Sequence, residues 1–553
     1  MMAILLLILG LVLFIAAYVT YGAWLAKKWG IDPKRPTPAH TMRDGVDYDP
    51  TQPKVLLGHH FSSIAGAGPI TGPILAAVFG WLPVYLWIIL GSIFVGGVHD
   101  FSALFASVRH KSKSIGEIIS ANIGKRARIL FNLFAWLTLI LVVAAFTDIC
   151  ASTFAHNPQT PEVLNGARSG TISILFIVLA IIYGLITRKL NLSGITSVLM
   201  GIVGLVVFIG LGYYFPVLKF SQATWTYIML VYIFAASVLP VWFLLQPRDY
   251  LCSFLLYAML AGGVAGLFIT NPSVNMPAFT SFMPANGSYL FPILFVTVAC
   301  GAISGFHSLV SSGTTAKQVN NEKDMRLIGY GAMLIEGLVA VLALMAIACY
   351  GKPSENATPV QIFANGISSM INSFGVPKDF GMVFVVLAFS SFALTSLDTA
   401  TRIARYMLQE LADSVPSLKK VIGNKYAATI ISILAAWGLL QYGYTKIWPI
   451  FGSVNQLLGA LALIAVSVWL LRRKKNSLFT GIPAVFMVCV ALSALIILMV
   501  QNLKAGNMVI GILSLIIALL AVALVVEAIV AISKLRKGKI EMLDDDTPEQ
   551  AAG

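Results

Sequence analysis

The chain has 553 residues, of which 58% are hydrophobic and only 11% are charged, and its mean hydropathy is +0.86. Because a soluble domain carries about 25% charged residues, this composition excludes a soluble protein and indicates an integral membrane protein. The formal net charge of +14 does not indicate a nucleic-acid partner, because most of the 37 lysines and arginines fall in loops on one side of the predicted membrane.

Apolar segments long enough to cross a hydrocarbon core about 30 Å thick as helices recur along almost the whole chain. They predict an all-α polytopic membrane protein with about 15 transmembrane helices, the first of them retained rather than cleaved as a signal peptide. In chain order the predicted spans lie at 2–25, 61–80, 82–108, 129–150, 170–187, 190–215, 225–245, 252–270, 288–314, 327–349, 379–401, 426–441, 447–471, 478–501 and 507–533.

The distribution of positive charge predicts the orientation, since cytoplasmic loops are enriched in lysine and arginine. It places the N-terminus outside and the C-terminus in the cytoplasm, where the acidic segment 541–553 is predicted to be a disordered tail. The five cysteines stand singly in apolar segments without CxxC spacing, which is typical of small buried side chains.

The segment GHHFSSIAGAGPITGP, residues 58–73, overlaps the predicted span 61–80 and is rich in helix-breaking glycine and proline. Broken backbone is tolerated within a membrane only where it lines a polar cavity or is buried against protein. Five spans later, ASVLPVWFLLQPRDY at 236–250 carries two prolines beside polar residues. A pair of interrupted spans at corresponding positions predicts a 5+5 inverted repeat, spans 2–6 and 7–11, with a binding site at the midplane.

This repeat divides the chain into five predicted regions. They are an N-terminal peripheral helix and loop at 1–57, a first five-helix repeat at 58–220, a second at 221–410, C-terminal peripheral helices at 411–540, and the tail at 541–553.

The predicted substrate site combines broken backbone, hydroxyls and aromatic side chains from the two interrupted spans. If the first span breaks between Gly66 and Pro69, the helix that resumes at Ile70 presents free N–H groups and a positive dipole end, which favour a carboxylate. The candidate substrate-binding residues are Ser62, Ser63, Gly66, Gly68, Thr71, Pro240, Trp242, Gln246 and Phe306.

Ionisable residues inside spans predict the coupling site, because each costs at least about 2.5–3.5 kcal/mol to insert. His307 is followed by hydroxyls that repeat along one helix face, and histidine exchanges protons near neutral pH. We predict that His307 is the main proton-coupling residue and that His99 and Asp100 are the next candidates for this role. Ser311 and Ser312 complete the candidate ion-coupling set. Their hydroxyls, with backbone carbonyls of the first interrupted span, could instead form an oxygen-lined sodium site, which is the alternative to proton coupling.

Other polar residues are predicted to have structural or interfacial roles rather than functional ones. His59 and His60 are expected at the cytoplasmic mouth, Asp398 is expected to pair with Arg402 one turn away, and Glu336 is expected near an exposed span end. The sequence has no HExxH, P-loop or GxSxG motif, so we expect no metal, no cofactor and no enzymatic activity.

Four segments in the same order resemble the carbon starvation protein A (CstA) family of bacterial inner-membrane transporters. They are GHHFSSIAGAGPITGP, GGVHDFSALFASVRHKSKSIGEI, SGFHSLVSSGTTAKQ and SLDTATRIARY. The resemblance spans about residues 50–500. It implies uptake of peptides or of pyruvate by proton symport, and a fold of the LeuT-like, amino acid-polyamine-cation group.

The residues and the resemblance together predict a secondary active transporter that works by alternating access, carries no catalytic residue and lies in the bacterial inner membrane. Its expected partners are a small-molecule or peptide substrate, a coupling proton or sodium ion, and the lipid bilayer. A channel or a nutrient-sensing receptor is the alternative class. A channel would need a continuous polar pore, and a receptor would need a cytoplasmic output domain.

Overall fold

The computed structural model describes residues 2–45, 47–157, 163–190, 194–240, 243–284, 287–351, 358–414 and 416–543, and within these ranges the protein is built from helices. The helices are α1 (Met2–Trp29), α2 (Pro53–Ile64), α3 (Gly68–Phe79), α4 (Trp81–Arg109), α5 (Ile115–Asn122), α6 (Lys125–Phe154), α7 (Asn165–Lys189), α8 (Ile195–Tyr214), α9 (Gln222–Val238), α10 (Leu245–Thr270), α11 (Ala299–Ala302), α12 (Gly305–Gly313), α13 (Arg326–Tyr350), α14 (Pro359–Asn372), α15 (Lys378–Ser414), α16 (Pro416–Ile422), α17 (Lys425–Leu440), α18 (Tyr444–Arg472), α19 (Leu478–Lys504) and α20 (Met508–Arg536).

Eleven helices of the described chain are long and apolar enough to cross a membrane, and the bent pair α2 and α3 makes a twelfth if it is one span. This confirms a multi-pass all-helical protein. The remaining predicted spans correspond to the shorter apolar helices α9 and α17 and to the interrupted stretch 290–313. The predicted count of about 15 transmembrane helices therefore stays a prediction.

The first broken helix consists of α2 and α3, which meet at an angle of 48° across residues 65–67. Ala65 leaves helical geometry with φ −74° and ψ 74°, and Pro69 lies in the first turn of α3, where its missing N–H costs no hydrogen bond. The unwound stretch is shorter than the sequence suggested: Ser62 is still within α2, and α3 begins at Gly68, two residues before the expected Ile70.

The second broken helix consists of α11 and α12, separated by Ile303 and Ser304 in extended conformation. The side chain of Asn455 on α18 satisfies the exposed backbone, because its Oδ1 accepts from the N–H of Phe306 at 2.9 Å. Its Nδ2 donates to the Ser304 hydroxyl at 3.0 Å. The break is therefore held by a side chain from another helix rather than by proline.

The two broken helices pack directly against each other. A Cβ added at Gly68 would lie 2.3 Å from the Cys300 sulfur, so only glycine allows α3 to approach α11 this closely. The expectation that 236–250 forms the second interrupted span is wrong, because α9 ends at Val238 and a separate helix, α10, begins at Leu245. Pro240 belongs to the connection between these two helices, and Pro247 lies in the first turn of α10.

The contact between the broken helices is expected to be intolerant of any side chain at Gly72 of α3. A Cβ there would lie 2.6 Å from the carbonyl oxygen of Thr297, a backbone atom of the stretch 290–313 that can move only with the chain around it. We expect Gly72→Ala to lower the free energy of unfolding by about 1–3 kcal/mol, measured as thermal unfolding in detergent. Gly438→Ala is the matched control, because nothing lies within 4 Å of a Cβ at that helical glycine. Equal melting temperatures for the two variants would contradict the packing described here.

Candidate functional site

A cluster of ionisable side chains lies beside the two broken helices. Asp100 on α4 accepts from His99 Nδ1 through Oδ1 at 2.7 Å, and its Oδ2 contacts His307 Nδ1 on α12 at 2.8 Å. The other ring nitrogen of His307, Nε2, lies 3.2 Å from Glu336 Oε2 on α13. The helix that carries His307, α12, also packs against α2. We call His99, Asp100, His307 and Glu336 the ionisable cluster.

The ionisable cluster is completely shielded from solvent, since the side chains of all four members are 0% exposed. The contact between His307 and Glu336 is within ion-pair distance but lacks hydrogen-bond alignment, and both Glu336 oxygens have no hydrogen-bond partner among the described residues. Buried charges are stable only when they are paired, so the charge state of one imidazole is linked to that of two carboxylates. Such an arrangement can hold a proton and release it when the surrounding helices move.

Three members of the ionisable cluster are residues that the sequence predicted, and the structure brings them together. The expectation that Glu336 lies exposed near a span end is wrong, because its side chain is buried within α13. The signal that would have found it is a lone carboxylate flanked by apolar residues on both sides, in the segment MLIEGLVAV.

The two adjacent histidines of α2 have different environments. His59 lies 3.6 Å from the carboxylate of Asp249 and its side chain is 18% exposed. His60, also predicted at the cytoplasmic mouth, is instead fully buried, and its Nδ1 makes a 2.8 Å hydrogen bond with the Thr315 hydroxyl. That hydrogen bond ties α2 to the segment just after α12.

The hydroxyls of Ser308, Ser311, Ser312 and Thr315, which follow His307, are buried. Ser304 precedes α12 and Thr315 follows it, so the helical part of this row of hydroxyls is shorter than expected. The Ser312 hydroxyl donates to the Ser308 carbonyl in its own helix at 2.8 Å, whereas the Ser311 hydroxyl has no partner among the described residues.

The predicted substrate residues fall into three groups. Ser62, Ser63, Gly66, Gly68, Thr71 and Phe306 are buried at or next to the two breaks, and the hydroxyls of Ser62 and Thr71 have no hydrogen-bond partner among the described residues. Pro240 lies in the connection between α9 and α10, and Gln246 lies in the first turn of α10; both are exposed. Trp242 lies outside the described residues.

A second buried ionic group lies between α9, α10 and α15. Arg248 Nη1 donates to Asp398 and to the Tyr232 hydroxyl, and its Nη2 donates to the Thr395 hydroxyl at 3.0 Å and to Asp249 at 3.4 Å. Sequence reasoning missed this group, and the predicted pair between Asp398 and the arginine one turn later is wrong. That arginine instead donates to backbone carbonyls at the end of α9.

A cavity of about 280 Å³ lies between α2, α10, α15 and the segment that follows α12. Ser63 and Gln246 from the predicted substrate set line it, together with His59, Asp249 and Arg402. Among the described residues, no group of three or more histidine, cysteine, aspartate or glutamate side chains has an arrangement that could hold a metal ion. The features of the described chain that bear on function are therefore the paired breaks, the ionisable cluster and this cavity.

Comparison with known proteins places the chain in a family. The family model described as carbon starvation protein CstA matches residues 2–355 and 350–494. The pyruvate/proton symporter BtsT of Escherichia coli is 34% identical over 86% of this chain and 78% of its own length. The peptide transporter CstA of Bacillus subtilis is 33% identical over 96% of this chain and 97% of its own length.

Among solved structures, a manganese transporter of Eremococcus coleocola, crystallised as the mutant H236A, matches with a TM-score of 0.48 and 11% identity. The match covers 87% of this chain and 95% of the manganese transporter's chain. The resemblance expected from the four sequence segments is confirmed by the family model and the two relatives. The chain belongs to the carbon starvation protein CstA family.

Proposed function

We propose that this protein is a secondary active transporter that imports small peptides, or a small carboxylate such as pyruvate, together with protons. The observation that carries the proposal is the position of the ionisable cluster: His307 lies in the second broken helix, in the part that packs against α2 of the first broken helix. Any movement that separates the two broken helices changes the surroundings of that imidazole. Proton binding is thereby linked to the state of the substrate path.

The protonation step would follow from charge balance in a water-free site. With Asp100 and Glu336 both ionised around one charged imidazole, the three groups carry a net negative charge, which is costly to bury. An added proton makes the group neutral and favours the closed, solvent-excluded arrangement. Release of the proton would follow exposure of the cluster to the cytoplasm, and a transporter that can close only when protonated moves protons with its substrate.

We further propose that the inverted repeats are formed by different spans than the sequence suggested. The first repeat would be the α2–α3 pair with α4, α6, α7 and α8, and the second would be the broken stretch 290–313 with α13, α15, α17 and α18. Three features support this pairing. The two broken helices pack together. The next helix of each repeat contains a π-helical turn, at Ser92–Gly96 in α4 and at Arg326–Gly331 in α13, and the third helices, α6 and α15, pack extensively on each other. An offset of seven spans is odd and keeps the repeats inverted.

The proposed location is the bacterial inner membrane with the N-terminus outside and the C-terminus in the cytoplasm. The orientation is supported by the lysines and arginines of the loops around 26–54, 109–128 and 402–425. In this orientation the cavity beside α2 and α15 opens toward the cytoplasm.

Uptake into proteoliposomes tests the proposed function. Purified full-length protein is reconstituted, and pyruvate and L-alanyl-L-alanine are offered with an inward proton gradient, an inward sodium gradient, or neither. The proposal predicts accumulation of at least one substrate with the proton gradient alone. Acceleration only by sodium would replace the proton with sodium as the coupling ion, and accumulation with neither gradient would contradict symport.

A further inference from the structure

The cavity of about 280 Å³ has charged side chains of opposite sign on two of its walls. Its volume lies near the lower end of small-molecule sites, which range over about 300–1,000 Å³. At its rim, three charged lining residues already have partners: Asp49 pairs with Arg43 at 2.8 Å, and Lys317 pairs with Asp47 at 3.5 Å. Arg188, at the end of α7, also lines the cavity and has an interaction of its own. Arg402 and Asp249 belong to the buried part of the lining.

Arg402 is a buried cation without a carboxylate partner among the described residues. Its residue is only 6% exposed, and its Nη2 donates to the backbone carbonyls of Ala236 and Leu239 at 2.5 and 2.6 Å. Its Nε has no hydrogen-bond partner among the described residues. The carbonyls position the guanidinium but do not neutralise it, so this wall of the cavity carries an uncompensated positive charge.

The wall that α10 contributes has the reverse imbalance. Asp249 shares Arg248 with Asp398, and Arg248 interacts more closely with Asp398, so one guanidinium serves two carboxylates. Its other neighbour, His59, is 3.6 Å away, beyond hydrogen-bond distance. Asp249 is 1% exposed and lines the cavity, and this wall therefore carries excess negative charge.

We infer that this cavity binds a zwitterion, with the ligand's carboxylate at Arg402 and its ammonium group at Asp249. A free dipeptide carries both charges at its two ends and would neutralise both walls. A simple monoanion such as pyruvate would satisfy Arg402 but leave Asp249 uncompensated. The inference rests on the proposed transport function and names the substrate class for this side of the path.

Binding to full-length protein in detergent or nanodiscs tests the inference with four probes: L-alanyl-L-alanine, its N-acetyl derivative, its C-terminal amide, and pyruvate. Truncating one side of a buried charge pair costs enough to weaken binding by about 30-fold or more. The unmodified protein is expected to bind the free dipeptide at least about 30-fold more tightly than either blocked form or pyruvate.

Two variants assign each charge to its residue. Asp249→Asn is expected to bind the free and N-acetylated dipeptides equally while still rejecting the amide, and Arg402→Gln is expected to show the reverse. Arg402→Lys provides a second test if the glutamine variant does not fold, because it keeps the charge but loses the bidentate geometry. Lys34→Gln and Asp413→Asn are matched controls on exposed charges and should keep both preferences.

Equal affinity of the unmodified protein for free and blocked dipeptides would overturn the inference, as would unchanged preferences in both variants. Its failure differs from failure of the proposed function. Proton-driven accumulation of pyruvate by a protein that binds no dipeptide would refute the zwitterion site and leave symport standing, whereas no gradient-driven accumulation of either substrate would refute symport.

Discussion

Replacing His307 with alanine is expected to reduce proton-driven accumulation to the level of protein-free vesicles while leaving substrate counterflow. The imidazole is the only group of the ionisable cluster that contacts carboxylates from both neighbouring helices, α4 and α13. Without it, Asp100 keeps His99 as its basic partner, but Glu336 loses the imidazole that links it to Asp100, so the cluster is expected to stop cycling. The measurement is uptake of the transported substrate with and without an inward proton gradient.

The matched control for this experiment is His40→Ala. His40 is exposed and, among the described residues, its ring makes hydrogen bonds only to Asn320 on the surface, so its removal should leave gradient-driven uptake unchanged. Glu336→Gln should resemble His307→Ala, because an amide occupies the same space but cannot ionise. Full accumulation by both His307→Ala and Glu336→Gln would show that the coupling ion binds elsewhere.

The second large effect is expected on stability, at the buried group around Arg248. Arg248→Met leaves Asp398, a side chain that is 0% exposed, with the Tyr232 hydroxyl as its remaining partner. Removing one member of a buried ion pair costs about 3–5 kcal/mol, so we expect a clear loss of stability in thermal unfolding in detergent.

Two further variants separate charge from packing. Arg43→Ala breaks an exposed pair with Asp49 and should change the free energy of unfolding by no more than about 1 kcal/mol. The double variant Arg248→Met with Asp398→Leu removes both charges of the closer pair and leaves Asp249 without its arginine, so it should recover part of the lost stability. A single Arg248→Met variant as stable as the unmodified protein would contradict the buried pairing described here.

Much of the fold was predictable because hydrophobicity alone identifies membrane helices. The apolar segments and the polar residues that separate them correctly predict a helix at nearly every predicted span. Glycine and proline locate the first break to within a residue or two. The second break could not be located in the same way. It contains no proline, and it is held by Asn455, whose side chain reaches Phe306 from 149 residues further along the chain. The prolines of segment 236–250 instead led to the incorrect prediction of a break where one helix ends and the next begins.

The candidate site shows the same division between local and long-range information. His307, His99 and Asp100 were predictable because ionisable groups within apolar spans are costly and need a reason to be there. Glu336 and Asp398 were misjudged because span position does not reveal burial or partners. Asp398 has an arginine one turn away, yet it pairs with Arg248, which lies 150 residues earlier in the chain. Only the packing of α10 against α15 determines that choice.

The most direct test of proton coupling through the ionisable cluster is the reverse experiment, in which a substrate gradient drives proton movement. Proteoliposomes containing a trapped pH-sensitive dye receive external substrate at equal internal and external pH. The account predicts internal acidification with the unmodified protein and with His40→Ala, and none with His307→Ala. Substrate entry without acidification in the unmodified protein, or equal acidification with His307→Ala, would contradict it.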